Sequence, residues 1–101
     1  MVNTGILGLG RCILLCEHER HIARLIQVNL KRAGHEVTVV CDVKSSIDLL
    51  TKAQFDVVVL DPDLPDKGGY FVRDWIWSRA SMKYVEVVML DKKNLKLPRL
   101  F

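Results

Sequence analysis

The 101-residue chain is 50% hydrophobic and 27% charged, which provides enough apolar material for one small domain with a single core. Its formal net charge of +3 is too small to indicate a nucleic-acid or anionic-membrane partner. The apolar stretches are too short to span a membrane, and Arg11 interrupts the apolar residues 1–16 where a secretory signal would lie. Three cysteines without a paired spacing indicate buried free thiols and a cytoplasmic protein.

Short apolar strands alternate with amphipathic helices along the chain. After a glycine-rich leader that we expect to be flexible, the elements are predicted in this order: leader 1–11, strand 12–16, helix 19–33, strand 37–40, helix 47–53 capped by Ser45 or Ser46, strand 57–60, helix 70–79 and strand 85–90. Such alternation is typical of parallel βαβ units with right-handed crossovers. It predicts an α/β domain over residues 12–91, followed by a tail.

The stretch FDVVVLDPDLPDKGG, residues 55–69, lies at the centre of this pattern. Its run of consecutive β-branched and other apolar residues predicts a strand that is buried on both faces. Asp61 follows the strand directly and precedes a turn rich in proline, aspartate and glycine. Open α/β sheets place their ligands at the carboxyl ends of such strands, so Asp61 is the first candidate for chemistry.

Polar residues also follow the other strands, namely Glu17 with His18, Asp42, and Asp91. In a sheet with the strand order 2-1-3-4, Glu17, Asp61 and Asp91 would be neighbours at one edge. Clustered carboxylates repel one another and need a cation, a proton or a nearby base, and oxygen ligands suit Mg²⁺. A carboxylate beside Mg²⁺ can attack a phosphoryl group and form an aspartyl-phosphate. The alternative is that each acid is a solvated loop residue.

These motifs resemble the receiver domain of two-component response regulators. ILLCEHE (13–19) resembles the family's first strand and acidic pair, FDVVVLDPDLPDKGG its phosphoacceptor strand and loop, and VVMLD (87–91) its fourth strand. Within the loop, Asp61, Pro65 and Gly69 stand at the family's phosphorylated aspartate, proline and glycine. The resemblance implies a flavodoxin-like (CheY-like) parallel sheet of order 2-1-3-4, and a signalling module that is not an enzyme.

The resemblance also implies roles for individual residues. Asp61 is implied as the phosphoacceptor and as a ligand of Mg²⁺. Glu17 and the backbone carbonyl of Asp63 are implied as further ligands of that cofactor. The implied partner is a histidine kinase or a phosphotransfer protein.

Three departures from the family pattern bear on function. His18 replaces the second acid of the pair, and a histidine serves the hard Mg²⁺ ion poorly, which predicts a weakened metal site. Asp91 stands at the switch position, where the family has a serine or threonine hydroxyl and a carboxylate would repel a phosphoryl group. The family's fifth strand, the lysine after it and the last helices have no counterpart here. Lys92 and Lys93 lie next to Asp91 but not at that motif position. One of them could approach the site, but nothing in the sequence requires it.

The missing C-terminal part predicts self-association. Without a fifth strand, the strand at 85–90 would be an exposed apolar edge, which favours association. The tail at residues 92–101 could add a short strand or an exchanged segment, so we expect a homodimer through the fourth strand and the tail. The basic residues of the tail are better explained as a solvated charged end than as a nucleic-acid contact.

Two functions are open for a receiver of this kind. The first is a phosphoacceptor switch in a phosphorelay, which the presence of Asp61, Pro65 and Gly69 favours. The second is a pseudo-receiver, a phosphorylation-independent protein-interaction or dimerisation module. His18, Asp91 and the missing lysine favour this second function.

Overall fold

The structure is a computed structural model, and it describes residues 10–93 of the chain. Its elements in chain order are β1 (Cys12–Cys16), α1 (Arg20–Arg32), β2 (Glu36–Val40), α2 (Val43–Lys52), β3 (Val57–Leu60), a 3₁₀ turn (Pro65–Lys67), α3 (Gly68–Trp77), a second 3₁₀ turn (Ala80–Met82) and β4 (Glu86–Met89). Every predicted strand and helix is present, and α2 begins earlier than predicted.

The strands form one parallel sheet in the order β2-β1-β3-β4, which confirms the predicted flavodoxin-like order. β1 and β3 lie in the centre, and every residue of both strands is buried. Their continuous apolar runs suit this position because helices cover both faces of the sheet. The strand over Val57–Leu60 is therefore the buried central strand that its composition predicted.

The core has two layers, one on each face of the sheet. Alternate side chains of a strand point to opposite faces, so Ile13 joins the layer beneath α1, whereas Leu14 joins the layer beneath α2 and α3. Ile26 of α1 and Val72 of α3 are buried in these two layers. Burying a side chain of this size contributes about 1.5–3 kcal/mol relative to leaving it exposed. The two layers hold the carboxyl ends of β1 and β3 in place.

Two predictions about the segment after β2 are wrong, namely the cap of α2 and the burial of Cys41. α2 is capped by Asp42, whose carboxylate accepts a hydrogen bond from the Ser45 amide at 2.7 Å, and not by Ser45 or Ser46. Ser46 is buried instead, and its hydroxyl donates to the carbonyl of Asp42 at 2.7 Å. Cys41 is exposed because it follows an outer strand, whereas Cys12 and Cys16 are buried as predicted and form no disulfide bond within residues 10–93.

β4 is one of the two outer strands of the sheet within residues 10–93, and its side chains are at most partly buried. This position agrees with the edge predicted for it. The predicted leader (1–11) and tail (92–101) lie largely outside the described residues, so their boundaries remain predictions. Within residues 10–93, none of the helices has the length and apolar character needed to cross a membrane.

Candidate functional site

The carboxyl ends of the two central strands bring Glu17 and Asp61 together. Cys16 of β1 pairs with Leu60 of β3, so the next residue of each strand lies at the same edge of the sheet. The Asp61 amide donates to the Cys16 carbonyl at 2.9 Å and extends this pairing by one residue. Glu17 is 1% exposed and Asp61 is 0% exposed. Two buried carboxylates at one point need compensating groups, because each disfavours the charge of the other.

Both carboxylate oxygens of Asp61 have hydrogen-bond partners. Oδ1 accepts from the amide of Asp63 at 2.8 Å, and Oδ2 lies 2.6 Å from Nδ1 of His18 and 2.9 Å from Nζ of Lys92. Burial acts to raise the pKa of Asp61, but the hydrogen bonds, first of all the one from Lys92, outweigh burial and hold that pKa below its ordinary value. These hydrogen bonds therefore favour the ionised form of Asp61.

Glu17 is less well compensated than Asp61. Its Oε2 accepts from the amide of Glu19 at 2.8 Å and lies 3.1 Å from Nζ of Lys92. Its Oε1 is buried and has no hydrogen-bond partner among residues 10–93. Burial raises the pKa of Glu17 despite the hydrogen bonds from Glu19 and Lys92, and the neighbouring Asp61 adds to the rise. The site thus contains one buried oxygen that can accept a further donor or a cation.

Lys92 supplies the ammonium group of the site, and sequence reasoning did not place it there. A backbone hydrogen bond of 2.8 Å from Leu90 to Leu60 brings the segment after β4 alongside the end of β3. Only 13% of the Lys92 side chain is exposed, and Nζ contacts three carboxylates: Glu19 (2.6 Å), Asp61 (2.9 Å) and Glu17 (3.1 Å). Burial acts to lower the pKa of Lys92, but these hydrogen bonds raise it above its ordinary value. The signal in the sequence that could have indicated this contact was the position of Lys92. A lysine shortly after the strand next to β3 can reach the end of β3.

Gly69 shows why the loop after Asp61 ends in glycine. The start of α3 lies so close to β3 that a Cβ atom at Gly69 would collide with the carbonyl oxygen of Asp61. Only glycine permits this approach of two backbone segments. Pro65 begins the 3₁₀ turn before α3, where its missing amide hydrogen removes no helical hydrogen bond. Both residues shape the loop that presents Asp61.

Comparison with known proteins identifies the family to which this site belongs. A family model for the response regulator receiver domain matches residues 13–96. The chain belongs to the response regulator receiver domain family. It is therefore a receiver domain of two-component signalling, as the strand-end motifs predicted.

Named relatives agree with this family. The receiver is 31% identical over 85 residues to the transcriptional regulatory protein GltR of Pseudomonas aeruginosa, and the match covers 84% of this chain and 35% of GltR. The chain thus spans about a third of that relative's length.

Solved structures show the same fold. A putative response regulator from Chloroflexus aurantiacus matches with a TM-score of 0.76 at 20% identity, over 84% of this chain and 73% of its own. The Mn²⁺-bound form of response regulator Rcp1 matches with a TM-score of 0.69 at 26% identity, over 81% and 67% of the two chains. The phosphorylated cyanobacterial phytochrome response regulator RcpA matches with a TM-score of 0.66 at 28% identity, over 82% and 67%.

The receiver site brings together three of the predicted site residues. Glu17, His18 and Asp61 each offer a ligand atom, and these atoms lie within 4.8 Å of one another. Asp63 has an exposed side chain and contributes its amide to Asp61, while its role through the carbonyl remains a prediction. Asp91 is exposed, and its Oδ1 accepts from the amide of Lys93 at 3.1 Å, so its role as the switch position also remains a prediction.

The donor set of the receiver site fits a divalent cation on the condition that Lys92 moves. The carboxylates of Glu17 and Asp61, including the unpartnered Oε1 of Glu17, are oxygen donors of the kind that Mg²⁺ prefers. His18 adds a nitrogen donor, which suits transition metals better than Mg²⁺. The ammonium of Lys92 already contacts Oδ2 of Asp61 and Oε2 of Glu17. These residues therefore fit a cation once Lys92 has moved.

Proposed function

We propose that this receiver domain accepts a phosphoryl group on Asp61 from the phosphohistidine of a histidine kinase or a phosphotransfer protein. The observation that carries the proposal is the position of Asp61, a buried carboxylate at the end of β3 with a lysine ammonium 2.9 Å from its Oδ2. A carboxylate nucleophile needs the ionised form, and an incoming phosphoryl group is stabilised by positive charge held in place beforehand.

In the proposed transfer, a carboxylate oxygen of Asp61 forms a bond to phosphorus while the bond from phosphorus to the donor's histidine nitrogen breaks. The electron pair of the broken bond stays on that nitrogen, which takes up a proton as it leaves. The product on this chain is an acyl phosphate. The Asp63 amide at Oδ1 holds the orientation of the carboxylate, and positive charge lies where negative charge arrives, supplied by the ammonium of Lys92 or by a cation that takes its place.

In this proposal Mg²⁺ would be held by Glu17, Asp61 and the backbone carbonyl of Asp63, with affinity weakened by His18. When bound, such a cation supplies positive charge that neutralises the phosphoryl oxygens. Rcp1 is described in an Mn²⁺-bound form and RcpA in a phosphorylated form. Those descriptions concern Rcp1 and RcpA, and they support the same chemistry for this chain.

Intact-mass spectrometry after incubation with acetyl phosphate and millimolar Mg²⁺ tests the proposal. We expect one phosphoryl group on the wild-type chain and none on Asp61→Asn. Asp63→Asn is the matched control, because it changes an exposed carboxylate in the same loop and leaves the amide at Asp61 in place. Beryllofluoride with Mg²⁺, followed by NMR, provides a second readout that does not depend on the lifetime of the acyl phosphate. The proposal is overturned if the wild type shows neither the mass increase nor the NMR shifts.

A pseudo-receiver is the second candidate, and the position of Lys92 favours it. The ammonium already lies within 3.1 Å of both Asp61 and Glu17 and offsets part of their negative charge. On this alternative the fold is kept as a phosphorylation-independent interaction module. Acetyl phosphate and beryllofluoride then leave the mass and the NMR spectrum of the wild type unchanged.

We also propose a homodimer formed through β4 and residues 92–101. Within the described part of the chain, β4 pairs with β3 along one side and forms the outer edge of the sheet on the other. Such an edge presents backbone donors and acceptors to a second strand. Sedimentation equilibrium over a range of concentrations should show association, and a monomer at every concentration contradicts the dimer.

A cytoplasmic location is proposed from the cysteines. Cys12 and Cys16 are buried in the core within β1, and neither forms a disulfide bond within residues 10–93. Buried cysteines without a disulfide are typical of proteins that fold in a reducing compartment.

A further inference from the structure

We infer that Lys92 is a built-in counter-ion of the receiver site, and that a divalent cation binds there by exchange with its ammonium group. The inference rests on the proposed cation site and not on phosphoryl transfer. Nζ of Lys92 lies 2.9 Å from Oδ2 of Asp61 and 3.1 Å from Oε2 of Glu17, in contact with both buried carboxylates at once. A cation that binds the same two carboxylates needs the position that the ammonium holds.

Simultaneous binding of the ammonium and a divalent cation is unfavourable. Like charges a few ångströms apart repel, and the repulsion is stronger in a buried site than in water. Nζ of Lys92 lies within 3.1 Å of one oxygen of each buried carboxylate, and Oε1 of Glu17 is the oxygen of the pair left unpartnered within residues 10–93. One oxygen is a weak site for Mg²⁺, which gives up its bound water reluctantly. Lys92 therefore has to leave Asp61 and Glu17 before a cation binds well.

Glu19 provides the second position that the exchange requires. Lys92 also contacts Oε1 of Glu19 at 2.6 Å, and the Glu19 side chain is 51% exposed. The flexible lysine side chain can therefore leave the two buried carboxylates and remain paired with Glu19 at the surface. The two positions of the ammonium differ by a short side-chain movement.

The exchange links the site to the segment after β4. Leu90 is held by its hydrogen bond to Leu60, and Lys92 and Lys93 follow in a turn. The Lys92 side chain attaches this turn to Asp61 and Glu17, and the exchange breaks that attachment. Occupation of the site by a cation therefore changes how the turn after β4 is attached to it.

Calorimetric titration of the full chain with Mn²⁺, and separately with Mg²⁺, tests the exchange. Lys92→Met keeps most of the unbranched apolar length of the side chain and removes its charge. We expect it to bind both ions more tightly than the wild type, by about tenfold or more, because the competing charge is gone. Lys93→Met is the matched control, since it removes the same charge from an exposed neighbour. We expect its affinities to stay within about twofold of the wild type, as for a screened surface charge.

Thermal unfolding gives a readout that is independent of phosphorylation. In the presence of a chelator, Lys92→Met should melt below the wild type, because two buried carboxylates lack their counter-ion. Added Mg²⁺ should raise the melting temperature of Lys92→Met more than that of the wild type. If Lys92→Met does not fold in chelator, circular dichroism during a Mg²⁺ titration follows its cation-dependent folding, and Lys92→Gln is titrated alongside it.

The proposed exchange is wrong if Lys92→Met and Lys92→Gln bind Mn²⁺ and Mg²⁺ no more tightly than the wild type. It is also wrong if Lys93→Met gains as much affinity for these ions as the two Lys92 variants do. A phosphorylation assay on the wild type separates this result from the proposed function. Tighter cation binding by Lys92→Met, with no adduct on Asp61 of the wild type, supports the exchange and overturns phosphoryl acceptance. An adduct on Asp61 of the wild type, with cation affinity unchanged in Lys92→Met, supports phosphoryl acceptance and overturns the exchange.

Discussion

The four acids that follow the strands lie in two different environments. Glu17 and Asp61 follow the central strands β1 and β3 and are buried, whereas Asp42 and Asp91 follow the outer strands β2 and β4 and are exposed. The four resemble one another in the sequence, where each comes at the end of an apolar run. Their burial differs because the end of a central strand is enclosed by the strands and loops on both of its sides.

Each environment imposes a different requirement on the carboxylate. The buried acids need a group of opposite charge, and Lys92 provides it to both. The exposed Asp42 needs only a local donor, and it accepts the Ser45 amide at 2.7 Å as the cap of α2. Glu17 and Asp61, the inner acids, therefore form a site that can hold a ligand. Asp42, an outer acid, has a structural role.

Loss of the charge that serves the inner acids should have the largest effect on stability. Lys92→Met leaves Glu17 and Asp61 buried without their ammonium. We expect the free energy of unfolding to fall by about 2–3 kcal/mol, less than for a fully buried pair because the lysine remains partly exposed. Urea denaturation in chelator measures this loss. Lys93→Met is the control and should change the value by less than about 0.5 kcal/mol. Equal losses in the two variants would show that the inner acids do not depend on Lys92.

Gly69→Ala tests the backbone that presents the inner acid. The added methyl group would collide with the Asp61 carbonyl, so α3 or the loop has to move. We expect a loss of about 1–2 kcal/mol in the free energy of unfolding, as for other overpacked positions. The amide NMR signal of Asp63 should shift as well, because that amide donates to Oδ1 of Asp61. An unchanged Asp63 signal together with unchanged stability contradicts the close approach.

Asp42→Ala tests the outer acid that caps a helix. The hydrogen bond from the Ser45 amide holds the pKa of Asp42 below its ordinary value. A lowered pKa means that the stabilisation is fully present above the ordinary aspartate range and is lost as the pH falls through the lowered pKa. We expect Asp42→Ala to lower the Tm by a few degrees at pH 7.

The same variant should approach the wild type in acid. The Tm difference between wild type and Asp42→Ala should shrink as the pH falls through the pKa of Asp42. Asp42→Asn, which retains an oxygen acceptor, is the control and should lose less at pH 7. A difference that stays constant with pH would show that the charge of Asp42 does not contribute.

Asp91→Asn should have the smallest effect. Asp91 is exposed, and the amide oxygen of asparagine can still accept from the Lys93 amide. We expect the free energy of unfolding to change by less than about 0.5 kcal/mol, as for other surface substitutions. Urea denaturation of Asp91→Asn and Lys92→Met under the same conditions compares their losses of stability directly. A loss as large as that of Lys92→Met would place Asp91 with the inner acids.

The meeting of Glu17 and Asp61 could be predicted because it depends on strand order alone. Adjacent parallel strands end at the same edge, and the receiver resemblance implied that order. The contact of Lys92 with Asp61 could not be predicted in this way. It joins residues far apart in the chain and depends on the path of the backbone after β4 and on the reach of a long side chain.

The cap of α2 was missed for a local reason. Ser45, Ser46 and Asp42 are all good capping residues, and the sequence pattern alone does not rank them. The structure starts α2 at Val43, so Asp42 is the cap and Ser46 lies inside the helix with its hydroxyl on the Asp42 carbonyl. The start of a helix depends on how its apolar face meets the core, which a capping motif does not record.

The apolar runs and helical spacings of the sequence by themselves determined the elements, the central position of Val57–Leu60 and the candidate acid at Asp61. These features are local, because each follows from the alternation or periodicity of neighbouring residues. Only the tertiary structure decided which acids are buried and that Lys92 contacts both of them. Burial and charge pairing depend on residues brought together from distant parts of the chain, and packing alone sets the distances between them.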